Sequence, residues 1–138
     1  MTETVGKPLP RPTADTQTFW DSCAKGQLVY QSCQKCGRAQ FPPRAHCAVC
    51  GSDRIVWKKS AGRGKIHSFT VVHRPPTPAF KADVPYVIAL VDLDEQFRMM
   101  MNVRDTDPHK VTIGQRIEVF FEPMDDGIFL PQARPAAR

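Results

Sequence analysis

The sequence predicts a mainly β chain in three parts: a short N-terminal helix, a ribbon built on four cysteines, and a five-stranded barrel. Three observations carry that expectation. The cysteines form two matched pairs, Cys33-Gln-Lys-Cys36-Gly37 and Cys47-Ala-Val-Cys50-Gly51. A glycine-rich stretch, Ser60-Ala-Gly-Arg-Gly64, separates them from the C-terminal half. In that half, β-branched and aromatic runs alternate with turn residues, which is the texture of short strands. The expected organisation is an extended tail over 1–12, helix and ribbon over 13–60, and barrel over 61–138.

The tail carries Pro8, Pro10 and Pro12 in alternation, which favours an extended backbone. The helix comes next. Thr13, Asp15 or Thr16 supplies its start and Gly26 its stop. Phe19, Trp20 and Cys23 fall on one face at helical spacing. A helix this short needs to bury that face, either on its own domain or on a partner.

Within the ribbon, 27–31 reads as a strand entering the first cysteine pair. Residues 38–44 return toward the second pair, and 54–59 leave as another strand. Two residues between cysteines let both thiolates face one ion, and the glycine after each pair accepts a tight turn. Four thiolates at these spacings suit a closed, tetrahedral, structural zinc site with Cys33, Cys36, Cys47 and Cys50 as ligands. Such a site has no open position for substrate. Iron accepts the same ligands, but nothing else in the chain marks an electron carrier. Disulfides need an oxidising compartment, and the opening MTETVGKPLP lacks the apolar run of a secretory signal. The expected location is therefore cytoplasmic. Cys23 stands apart and reads as a small buried residue. His46 neighbours Cys47, but the four cysteines already complete the site.

From Gly64 onward five strands are expected. They are 65–73, a nearly continuous apolar run over 84–93 covered on both faces, 96–103, 116–122, and a short 128–130. Arg74-Pro-Pro-Thr-Pro78 breaks the first from the second, Asp94-Glu95 turns the second into the third, and Asp125-Asp-Gly127 precedes the fifth. Residues 105–110 leave room for one helical turn. Five short strands in about 70 residues fit a partly open barrel of the OB type. The Ser60–Gly64 stretch reads as a hinge. His67 and His73, six residues apart on one expected strand, would share a face, with no third group evident to complete a catalytic set.

The net charge of +5 is unevenly placed. Residues 1–60 hold nine Lys/Arg against four Asp/Glu, whereas 61–138 hold ten of each. A basic N-terminal part suits nucleic acid, a nucleotide-like cofactor or an acidic protein. The balanced barrel argues against a single-strand binder, which sets cations and aromatics together on the barrel face.

Taken in order, the helix with Phe19-Trp20-Asp21, YQSCQKCG, FPPR, the second CxxCG, SAGRGKIHSFTVVHRPP, PYVIALVDLDE and IGQRIEVFFE resemble the zinc-ribbon plus OB-fold family of acyl-CoA-associated proteins, domain of unknown function thirty-five. The resemblance runs from about Phe19 to Pro131. It departs at Gln96-Phe97, where the family usually has glycine after the acidic turn. It implies an accessory subunit of a thiolase-fold or hydratase enzyme acting on acyl-CoA, in a hetero-oligomer whose catalytic residues belong to the partner. It also implies that CoA can contact this chain. Arg63, Lys65 and Arg74 are the candidate phosphate cations, and Phe69 and Tyr86 the candidate aromatic faces. Phe19, Trp20, Phe41 and Trp57 are candidate docking anchors, since aromatics often dominate interfaces. Alternative readings are a single-stranded nucleic-acid-binding module, a free-standing acyl-CoA binder, or an enzyme in its own right.

Overall fold

A computed structural model describes residues 7–136. Residues 1–6 of the expected tail and 137–138 lie outside them. Among the described residues there is one α-helix, α1 (Gln17–Ala24), and eight strands. Strands β1 (Val29–Cys33), β2 (Ala39–Gln40) and β3 (Ile55–Lys59) form an antiparallel sheet ordered β2-β1-β3. Strands β4 (Arg63–Val72), β5 (Tyr86–Leu93), β6 (Arg98–Val103), β7 (Arg116–Pro123) and β8 (Phe129–Pro135) close a barrel ordered β4-β5-β6-β8-β7. Both the mainly β class and the five-stranded barrel match expectation, although the barrel is closed rather than partly open, through the single β6–β8 pairing. Among the described residues no helix is long and apolar enough to cross a membrane.

Helix α1 stops as its sequence requires. Gly26 takes φ +74°, its N–H reaches the Cys23 carbonyl at 3.0 Å, and the Gln27 N–H reaches that of Ser22 at 2.9 Å. These bonds satisfy carbonyls the helix leaves open. At the other end Thr16 occupies the cap position but makes no side-chain capping bond. Its Oγ1 instead accepts the Thr13 N–H at 2.8 Å. The helix buries Phe19 and Cys23 and leaves Trp20 half-buried.

Ribbon and barrel share one hydrophobic core through a run of aromatic contacts. Tyr30 of β1 stacks on Phe97, just before β6, at 4.6 Å between centroids. Phe97 meets Phe41 at 6.2 Å, and Phe41 meets Phe19 at 5.1 Å. Each well-set aromatic pair adds roughly 0.5–1.5 kcal/mol beyond area burial, so helix, ribbon loop and barrel are held in fixed relation.

The glycine-rich segment is not a free hinge. Glu95 accepts the Ser60 hydroxyl at 2.6 Å and the Ala61 N–H at 2.8 Å. Gly64 is buried against β5, where an added Cβ would lie 2.3 Å from the Asp92 carbonyl oxygen. That glycine is demanded by close approach of backbones, not by flexibility.

Three further details differ from expectation. Strand β5 is not covered equally on both faces: Val87, Ala89, Val91 and Leu93 are buried, while Tyr86, Ile88, Leu90 and Asp92 are half-buried. Strand β4 carries a bulge between Ile66 and Ser68, which reverses the alternation and parts His67 from His73. His67 instead lies 3.5 Å from Asp92, and His73 stacks on His109 at 5.3 Å. Strand β8 runs on to Pro135 despite Pro131 and Pro135. It pairs with β6 only at Val103–Ala133, so its other side is nearly free of ladder bonds and tolerates residues lacking an N–H. The one turn allowed after Asp105 is a 3-10 turn, Pro108–Lys110.

Candidate functional site

Two sites emerge, a metal centre and an apolar cleft, and buried Gln31 fixes the ribbon loop that links them. Its Nε2 donates to the Arg44 carbonyl at 2.9 Å. Its Oε1 accepts from the Gln40 side chain and the Arg44 N–H, each at 2.8 Å. Gln40 in turn accepts the Ala48 N–H at 2.9 Å. The loop carrying Phe41, Pro42 and Pro43 is thereby fixed between the two cysteine knuckles and the barrel.

The knuckles are near copies of one another. The Gly37 N–H bonds the Cys33 carbonyl at 2.9 Å and the Gly51 N–H bonds that of Cys47 at 3.0 Å. Gly37 and Gly51 take φ +78° and +77°, the left-handed region that glycine adopts without steric cost. All four sulfurs lie within 4.8 Å of one another, with Cys33–Cys50 and Cys36–Cys47 at 3.6 Å. A tetrahedron with Zn–S of about 2.3 Å has edges of about 3.8 Å, so the donor set fits the ion.

Backbone N–H groups are aimed at the sulfurs. Cys50 and Val49 donate to Cys47 Sγ at 3.5 and 3.4 Å and hold that thiol down at about 6. The Cys36 N–H, 3.5 Å from Cys33 Sγ, lowers Cys33 in the same way. Cys36 is pushed up to about 11: the Arg38 N–H opposes this, but burial and the adjoining sulfurs outweigh it. Donors directed at sulfur stabilise thiolate, the form that binds metal. The four cysteines form the structural zinc site expected from their spacing. Cys23 is outside it and fully buried, and burial pushes its thiol up to about 12. It is an inert packing group.

The second site is an open cleft of ≈ 480 Å³ between α1, the 41–43 loop and the barrel. Phe19, Trp20, Phe41, Pro42 and Pro43 form one wall. Ile88, Met100, Leu130 and Pro131 line the barrel side, and Phe80 and Tyr86, 6.1 Å apart, also border it. Met100 is 69% exposed. The polar groups on the barrel side are already engaged. Gln132 accepts the Asn102 N–H at 2.9 Å and donates to Glu122 at 3.1 Å, and the Asn102 amide donates to the Val87 carbonyl at 2.9 Å. The cleft therefore offers apolar surface and few free polar partners.

Of the candidate anchors, Phe19, Trp20 and Phe41 meet at this cleft, although Phe19 is only 3% exposed. Trp57 is elsewhere, on β3 opposite Gln31, half-buried against the core. The five CoA candidates do not converge. Arg63 and Lys65 begin β4, beside the acidic Asp92 and Asp94. Arg74 follows the other end of that strand, about 30 Å away at the usual rise per residue, where Val72 pairs with Tyr86. Phe69 packs against the barrel core. Sequence reasoning missed Ile88, Met100 and Leu130. Their signal is faint: an unbroken apolar run around Ile88, and three consecutive methionines, 99–101, of which Met100 points outward.

Two family profiles cover most of the chain. One described as the rubredoxin-like zinc ribbon domain of ChsH2 matches residues 20–56, and one described as its C-terminal OB-fold domain matches 57–122. A DUF35 domain-containing scaffold protein of Methanothermobacter thermautotrophicus is 36% identical over 106 residues, 73% of this chain and 79% of that protein. The chain belongs to the DUF35 family of ChsH2-type zinc-ribbon and OB-fold proteins. It is also 38% identical, over 99% of its length, to a Thermomonospora curvata protein named "Probable enoyl-CoA hydratase alpha subunit", of which it spans 43%. A solved structure titled "Ltp2-ChsH2(DUF35) aldolase" superimposes with a TM-score of 0.83 at 34% identity, covering 94% of this chain and 100% of that one.

Proposed function

We propose that this chain is a non-catalytic scaffold subunit of an acyl-CoA-processing complex, docked through its apolar cleft onto a thiolase-fold enzyme subunit. The observation that carries this reading is the cleft itself. It is built jointly by helix, ribbon loop and barrel, and its barrel-side amides, Asn102 and Gln132, are already bonded, so most of its remaining gain comes from covering apolar surface. The relatives point the same way: one is named as a hydratase alpha subunit, and one solved structure is titled as an aldolase pairing Ltp2 with a DUF35 chain.

In this reading the zinc fixes the ribbon and hence the 41–43 wall of the cleft, while bond making and breaking stay in the partner. The described side chains support that division. The four paired cysteines are metal ligands and Cys23 is buried. His67 lies beside Asp92 and His73 stacks on His109, but among the described residues no nucleophilic side chain is hydrogen-bonded to either pair. Where CoA reaches this chain, Arg74 and Tyr86 near the cleft are the candidates best placed to meet it, and Arg63 and Lys65 the worst.

Affinity purification of the tagged full chain from its own cell, with mass spectrometry, tests the proposal. The expected result is a stoichiometric thiolase-fold or hydratase-type subunit that elutes with the chain at constant ratio through gel filtration. A chain that elutes alone, or with nucleic acid removable by salt, overturns it.

A further inference from the structure

We infer that the exposed face of the zinc ribbon is a second docking surface, reading an acidic patch on the protein that fills the cleft. The inference rests on the scaffold reading and adds the chemistry of the partner. Between the first cysteine and the end of β3 lie Lys35, Arg38, Arg44, Arg54, Lys58 and Lys59, against a single acid, Asp53. All six cations are exposed. Among the described residues, none has a carboxylate within ion-pair distance. In the barrel, by contrast, Arg98, Arg104, Arg116 and Arg134 are each held by an aspartate or glutamate.

The zinc site does not cancel this charge. Zn²⁺ with four thiolates carries a formal charge of about −2, which leaves the ribbon net positive. Nor are the cations scattered at random. The Arg54 carbonyl accepts the Gln34 N–H at 2.8 Å and that of Arg38 accepts the Cys33 N–H at 2.9 Å, so Lys35, Arg38 and Arg54 surround the first knuckle. Lys58 and Lys59 lie at the other end of β3, about 15 Å along the strand. Arg44 directly follows the Phe41-Pro42-Pro43 wall of the cleft. An apolar cleft whose ribbon wall runs directly into an unpaired cation, with further cations beyond it on the same ribbon, has the layout of an interface centre and rim.

Single cations spread over the ribbon surface match a distributed acidic surface better than one compact anion, since a phosphate group spans only a few ångströms. Nucleic acid fits less well. A single-strand surface needs exposed aromatics for stacking, whereas Trp57 and Phe41 are half-buried in the core and the large apolar side chain exposed at the ribbon tip is aliphatic Val49, at 62%. Rim charges of this kind act chiefly on association rate and partner choice.

The test uses the full zinc-loaded chain, labelled for amide NMR, with three probes: a decaglutamate peptide, decathymidylate, and adenosine 3′,5′-bisphosphate. The expected result is that decaglutamate shifts amides at 34–38, 44 and 54–59. The apparent affinity should fall roughly tenfold between about 50 and about 300 mM salt. The double substitution Lys58→Glu/Lys59→Glu, on exposed positions, should weaken the effect at least about fivefold at unchanged zinc content. Absence of shifts, tighter binding of decathymidylate, or bisphosphate saturating the same amides at lower concentration each overturns the inference. With the co-purified partner, a slower association rate in the double variant supports it. Unchanged association overturns it while leaving the cleft reading intact, and loss of the partner altogether from the unmodified chain overturns the cleft reading first.

Discussion

Replacing Gln96 by glycine should stabilise the protein. Gln96 ends the turn between β5 and β6, where the Gln96 N–H bonds the Leu93 carbonyl and the Leu93 N–H bonds that of Phe97, both at 2.9 Å. Its φ is +72°, as in three-residue hairpin loops that close on a left-handed residue, a position that favours glycine. A non-glycine residue there costs roughly 1–2 kcal/mol. Glycine gives back part of that gain, roughly 0.5–1 kcal/mol, because it loses more freedom on folding. The net expectation is a stabilisation of about 0.5–1 kcal/mol, or a midpoint rise of about 3 °C for a domain of this size. Urea unfolding at fixed free zinc, followed by Trp fluorescence, measures it. Gln96→Ala serves as the control, since it removes the side chain but keeps the strain, and should leave stability within about 0.5 kcal/mol. A glycine variant no more stable than the alanine variant would refute the argument.

Other consequences are as specific. Gly64→Ala forces a methyl to within 2.3 Å of the Asp92 carbonyl and should destabilise by about 3 kcal/mol, seen as a lower urea midpoint; an unchanged midpoint would contradict the close approach. Cys36→Ser should lose the metal and the ordered ribbon while barrel strands persist in part, so zinc content by atomic absorption and amide spectra should change together. Asp94 is held below the usual carboxylate range by its bond to Arg116, and Asp92 by its bond to Arg98. Since folding depresses both, their contribution is present above the unfolded pKa of about 3.9 and is lost as pH falls through the lower folded values. The acid limb of a stability–pH profile should flatten in Asp94→Asn.

Local chemistry was legible in the sequence and long-range geometry was not. The cysteine knuckles depend on spacing and on Gly37 and Gly51, all within a few residues, and the metal site follows. The helix stop at Gly26 and most strand positions are equally local. The β4 bulge leaves only a faint mark, the two consecutive polar residues His67 and Ser68 between apolar Ile66 and Phe69, yet that one extra residue moved His73 away from the face of His67. The run Val87–Val91 hid its sidedness because all its residues are apolar. Only the barrel decides that Val87, Ala89 and Val91 turn inward while Ile88 lines the cleft. The Ser60–Gly64 glycines suggested freedom, whereas Gly64 is fixed by contact with β5. The cleft joins residues from five separate segments, so no window of sequence contains it. The family departure at Gln96 was visible, but its cost became clear only with the backbone angle.

The most direct test of the scaffold account is partner binding by Met100→Gln. Met100 is exposed on β6 at the cleft and supports no core contact that the fold requires, and glutamine nearly matches its length. The account predicts native zinc content and stability, with partner affinity reduced roughly tenfold or more, because an unpaired amide would be desolvated at the centre of the interface at a cost of about 1–3 kcal/mol. Full partner affinity in the variant would place the interface elsewhere and contradict the central claim.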